Sequence, residues 1–263
     1  LPSGVPAPQA FAQCLSGAIS CEQGISPEKM DNPVVRLTWQ ASQRNKFSVY
    51  MDRALRLRAG AMSNATDPRT ASVVWNTPVF ATGSAKWTST LSSSLLLESG
   101  FSFNRERYDN LYQPGIFAER NTPAWFQNVR KNDVSTGFLW NAASAQLGNY
   151  PDRYTVSTAI SRVTGSHNVK AGVLYGWGIY RRYNNANADL YQTYNNGVPF
   201  QVTVLNTPLE VQENMDGQLA AYLQDSWRYK NFTVNYGIRY DRIAQSIDIF
   251  TEGEWAHGLW AGN

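Results

Sequence analysis

The chain has 263 residues, a net charge of +3 and only 16% charged residues, with no cluster of basic residues interleaved with rings, which argues against a nucleic-acid-binding surface. It is rich in rings, with 9 Trp and 14 Tyr, yet its mean hydropathy is −0.40 and no apolar run reaches the ~18 residues that a membrane-crossing helix needs. Many rings at low average hydropathy is what strict alternation produces in membrane β-barrels, where each lipid-facing residue is averaged with a polar one facing inward.

Residues 1–33 read as a loop segment, interrupted by Pro2, Pro6, Pro8, Pro27 and Pro33. Cys14 and Cys21 lie close together within it, in CLSGAISC, a spacing that suits a local disulfide in an oxidising compartment or, alternatively, two free thiols. The alternating run from Val34 to Ser42 meets a second one, Lys46 to Arg56, across the polar link Gln43-Arg44-Asn45, which predicts a hairpin. Residues 57–82 look irregular. Ser84 to Ser92 and Leu95 to Tyr108 form a second hairpin around a serine turn, and Asp109 to Asp152 reads as a long loop rich in Asn, Gln, Pro and rings. Arg153 to Thr164 and His167 to Arg182 pair through Gly165-Ser166, and a second long loop runs from Tyr183 to about Val211. The last pair, Gln212 to Arg242, turns at Tyr229-Lys230-Asn231 and carries the cleanest alternation. Phe232, Val234, Tyr236, Ile238 and Tyr240 share one face, while Thr233, Asn235, Gly237, Arg239 and Asp241 share the other.

The expectation is an all-β, antiparallel transmembrane β-barrel portion of about eight strands in four hairpins, with short periplasmic turns and long extracellular loops. Its bounds are a loop segment at 1–33, a barrel segment at 34–246 and a loop-like tail at 247–263. A soluble β-sandwich that binds carbohydrate is the rival, in which the apolar face of Phe232 to Tyr240 would pack on a second sheet. A surface structural or adhesion barrel is a third reading.

At Tyr222 to Asp241, YLQDSWRYKNFTVNYGIRYD, the chain resembles the barrel of TonB-dependent outer-membrane receptors, at Tyr222, Gln224, Asp225, Trp227, Thr233, Asn235, Gly237, Arg239, Tyr240 and Asp241. RLTWQASQRNKFSVY, KWTSTLSSSLLLESGFS, VTGSHNVKAG and ANADLYQTYNNGVP are similar to the Oar-like branch of that family. The resemblance implies a bacterial outer-membrane location and import of a bulky nutrient, with a plug domain and the TonB system as partners. Neither plug nor TonB box is recognisable in these residues, and both ends fall where extracellular loops should be, so the chain reads as an internal barrel portion.

Two histidines and no clustered ligands leave no catalytic triad and no metal or cofactor site, so no enzyme activity is expected. Glu252 and Glu254 read as solvated tail carboxylates. Glu98, Lys170, Arg239 and Asp241 are candidates for the lumen, either touching a plug or solute or forming a salt-bridged wall. Trp39, Phe47, Trp87, Trp177, Trp227, Tyr229 and Phe232 sit near strand ends as a membrane girdle. Tyr108, Tyr112, Trp125, Phe126, Tyr183, Tyr191 and Tyr194 are loop rings that either stack on a solute or pack the loops together.

Overall fold

The computed structural model describes residues 25–63 and 65–247. Cys14, Cys21, Glu252, Glu254 and nearly all of the tail lie outside the described residues.

The strands in chain order are β1 (Glu28–Asp31), β2 (Val34–Gln40), β3 (Asn45–Ala61), β4 (Val73–Ser92) and β5 (Leu95–Tyr112), then β6 (Arg130–Asp133), β7 (Leu139–Trp140), β8 (Gln146–Thr164) and β9 (His167–Asn185). They continue with β10 (Leu190–Asn195), β11 (Val198–Val204), β12 (Leu209–Tyr229) and β13 (Phe232–Ile247). A short helix, α1 (Pro123–Gln127), precedes β6. The larger sheet is antiparallel in the order β1-β3-β4-β5-β8-β9-β12-β13, with β2 also on β3. β1 and β2 dock end to end on β3, because Glu28 pairs with Arg58 and Val34 with Asp52 on one continuing register. Pro33, which has no N–H, interrupts them, but its carbonyl still accepts from the Arg53 amide at 3.1 Å. The sheet is therefore eight strands wide, organised as the four expected hairpins.

The links 41–44, 93–94, 165–166 and 230–231 are short and share one end of the sheet, whereas 62–72, 113–145 and 186–208 are long and share the other. The strands run 16 residues in β13 and 21 in β12, against the roughly 9–11 that cross a bilayer when tilted. They thus overshoot into the segments that read as irregular: β3 and β4 take residues on both sides of 62–72, and β8, β9 and β12 begin or end inside the two long loops. The short β1 also lies within the segment read as a loop. Near the start of β4 the register shifts between Asn76 and Val79, a bulge that accommodates Pro78.

The register assigns two chemically opposite faces. On one, Phe47, Val49 and Met51 of β3 run beside Leu97, Phe101 and Phe103 of β5, Val156 and Ile160 of β8, Val173 and Tyr175 of β9, and Val234 and Ile238 of β13. No second sheet covers this face among the described residues: Phe232 is 72% and Ile238 74% exposed. A sandwich would bury them, so the rival reading fails here. The apolar stretch lasts about nine residues per strand, the height of a hydrocarbon core crossed by a tilted strand. Rings bracket it. Trp39, Phe47 and Trp87 stack in series at 5.7 and 6.3 Å beside the short turns, and His167, Trp227 and Tyr229 do so on β9 and β12. At the far limit Phe101, Tyr154, Trp177 and Tyr175 form a second series with centroids 5.6–6.4 Å apart. Trp177 therefore belongs to the opposite girdle from the other candidates. Beyond it the same face turns ionic, with Arg105 and Arg107 around Asp152.

Candidate functional site

The other face of the sheet carries small and polar residues, and its charges are paired across strands. Glu98 of β5 accepts from Lys86 of β4 at 2.5 Å and from Lys170 of β9 at 2.9 Å. To reach Lys170 it passes over β8, which is possible because its neighbours there, Ala159 and Ser161, are small. One strand further on, the Tyr222 ring lies over Gly172, where a Cβ would come within 2.5 Å of it. Tyr222 in turn stands opposite Arg239, whose guanidinium donates two bonds of 2.8 Å to Asp241. All four charged candidates share this face, in two separate groups: Glu98 with Lys170, and Arg239 with Asp241. Lys86 completes the first group and went unnoticed in the sequence, where it stands beside Trp87 without any motif. The floor of this face holds an open groove of about 470 Å³ between Ser84, Lys86, Glu98, Lys170, Tyr222 and Arg239. Such a wall can bind or guide a polar solute; among the described residues it holds no cluster of ligands for a metal.

At the long-loop end, residues 113–145 and 186–208 fold onto each other. β6, β7, β10 and β11 form a four-stranded sheet in the order β11-β10-β6-β7, in which β10 and β6 run parallel, the one departure from antiparallel pairing among the named strands. Side chains tie the layer together. Buried Asn187 donates to the carbonyls of Ile116 and Asn128, both at 2.8 Å, and its backbone N–H donates to the Tyr112 hydroxyl. Arg120 pairs with Asp189, which also accepts from Thr207 at 2.6 Å. Asn196 and Gly197, both at positive φ, turn β10 into β11, and the Gly197 amide donates to Asp133 at 2.7 Å. Asp133 is fully buried. Burial by itself would raise its carboxyl, but bonds from Ser135, Gly197 and Asn196 outweigh that and hold it below the usual carboxylate range.

The loop rings divide between packing and presentation. Tyr112 and Trp125 are each 5% exposed, the first against Ala142 and Ala143, the second under the Arg120 guanidinium, so they hold the layer together and offer no face to a solute. Tyr108 packs edge-on against Trp75, and Tyr183 donates to Asp109 beside Tyr150. Tyr191 lies under Arg130, and Tyr194 packs at a tilt against Trp140. Phe126, 57% exposed, presents an open ring.

A strand-crossed sheet with an uncovered apolar band, two ring girdles and an ion-paired polar face defines an integral outer-membrane β-barrel protein of bacteria. The chain belongs to the outer membrane beta barrel domain family, whose model matches residues 3–252. Among solved structures it is similar to the outer membrane transporter YddB from Escherichia coli, with a TM-score of 0.56 and 14% identity, over 83% of this chain and 28% of that one. The chain thus spans less than a third of that transporter's length. No curated protein matches it.

Proposed function

We propose that this chain forms wall and surface loops of a TonB-dependent receptor that imports a bulky nutrient, in the manner of the Oar-like branch it resembles. The observation that carries the reading is the pairing of an ion-bonded polar face with a self-supporting loop layer at one end of it. A wall whose charges are already neutralised by neighbours lets a polar solute pass without trapping it. In this reading the loops capture the solute, Phe126 and the outer faces of Tyr191 and Tyr194 supply stacking surface, and a plug rests against the Glu98 and Arg239 groups until TonB draws it aside. No covalent step, cofactor or nucleic acid takes part.

Cells carrying the protein and an intact TonB system should take up a bulky chelate, oligosaccharide or peptide that cells lacking the protein do not. Loss of TonB should abolish uptake while surface binding persists. Uptake that continues unchanged without TonB would overturn the proposal.

A further inference from the structure

The loop layer ends on an open strand. β11 is the outer strand of the four-stranded sheet, and among the described residues no strand lies beyond it. Its ladder to β10 fixes which backbone groups are free. The Leu205 amide donates to the Asp189 carbonyl at 2.7 Å, one step along from the register in which Leu190 pairs with Val204, Tyr191 with Thr203 and Gln192 with Val202. Bonded and unbonded pairs alternate in an antiparallel ladder, so Thr203 turns its N–H and C=O toward β10, while Val202 and Val204 turn theirs outward. Those outward groups meet no partner among the described residues.

The side chains along this edge are apolar. Val198, Phe200, Val202 and Val204 are each more than half exposed, Val204 at 79%, and the seven residues VPFQVTV carry no ionisable group. Exposed edges are commonly blunted by lysine, proline or a bulge. Here Pro199 and the register shift beside it interrupt the edge at its start and leave residues 202–204 open. By the register, Val202 and Val204 lie on the face that also carries Tyr194 and Trp140, whose rings meet at 5.2 Å. A row of N–H and C=O groups at strand spacing is matched by another extended backbone, and a neutral apolar edge is complementary to a segment without charged side chains. A second copy fits less well, because pairing through seven residues falls short of the roughly 1,200 Å² that a stable interface buries. β11 instead continues the sheet that already joins the two long links through β10 and β6.

We propose that β11 takes an extended, uncharged apolar peptide as an added strand along residues 202–204, so that the solute captured by the loop layer is a peptide. Main-chain bonds at Val202 and Val204 hold it, and its alternate side chains lie beside theirs on the Tyr194 face. The assignment rests on the reading of the long loops as the capturing surface, and it requires nothing of TonB.

The test is fluorescence anisotropy of the purified protein in mild detergent with a labelled, end-capped peptide of alternating Thr and Val, and with the same peptide methylated at every backbone amide nitrogen. The unmodified peptide should bind saturably, and the methylated one about tenfold more weakly through the loss of its main-chain donors. Val202→Pro removes one outward N–H without touching the ladder to β10 and should weaken binding about fivefold, whereas Val202→Thr, which keeps that N–H, should stay within about threefold. In hydrogen exchange the Val202 and Val204 amides should be unprotected in the protein alone and become protected when the peptide is added. Binding with this pattern supports the assignment even where TonB proves dispensable for uptake. Absence of saturable binding to the wild type, or equal binding of the two peptides, would overturn it whatever the variants do. So would protection of both amides before peptide is added, since a second copy or the chain beyond Ile247 would then already cover the edge.

Discussion

Single side chains decide where this sheet tolerates change. Gly178 on β9 sits against the backbone of β8, where an added Cβ would lie 2.4 Å from the Asp152 carbonyl oxygen. Nothing flexible can yield there, so Gly178→Val should cost about 1–3 kcal/mol of stability, read as a lower denaturant midpoint in lipid vesicles. Gly172 differs, since its neighbour is the far end of the Tyr222 ring, and a substitution there should mainly displace that ring. In the loop layer Asp133 gives a pH dependence of fixed sign. Its folded-state carboxyl is held below its ordinary value, so the stability it contributes is fully present above the unfolded carboxylate range, near pH 4. That stability is lost as pH falls through the lower folded value. Hydrogen-exchange protection factors in the β10–β11 hairpin, taken against the intrinsic rate at each pH, should fall on acidification below that range, and in Asp133→Asn they should be lower already at neutral pH and lose most of their acid dependence. Wild-type protection factors that do not change with pH would contradict the role given to Asp133.

At the scale of the element, alternation sets which way each strand faces, and the two faces should answer the same substitution differently. Ile238→Arg places a charge in the middle of the apolar band and should cost about 2–4 kcal/mol. Asn235→Arg, on the polar face of the same strand, should cost little. Folding yield into vesicles compares the two, and equal penalties would deny the facing. The four hairpins were legible because Phe232 to Tyr240, or Leu95 to Phe103, switch between lipid and polar surroundings at every residue. Their upper halves were not, because beyond Trp177 and Phe103 both faces are polar and the period of two has nothing to display. Tyr183 and Asn184 on β9 look like a loop in sequence although they pair with Glu210 and Leu209 of β12. The loop layer was illegible for another reason: its order comes from contacts such as Asn187 with Tyr112, 75 residues apart, which no local pattern announces. Hence the sequence left Tyr112 and Trp125 open between stacking on a solute and packing the loops, and only their burial, at 5% exposure each, puts them in the packing.

For the molecule as a whole, the described sheet has two lateral edges, β1 with β2 at one and β13 at the other, with no pairing between them. Both edges carry unpaired backbone groups that cannot face hydrocarbon, so within the membrane they must pair with further strands or close on one another. All other inferences, the lumen network, the peptide-binding edge and the loop layer alike, depend on which face of this wall meets lipid. Spin labels placed singly at 232 to 241 in the protein reconstituted in bilayers measure that directly. Positions 232, 234, 236, 238 and 240 should be relaxed by oxygen dissolved in the lipid, and positions 233, 235, 237, 239 and 241 by a water-soluble nickel chelate. Uniform accessibility along the strand, or water access on the Ile238 face, would contradict the membrane-spanning account.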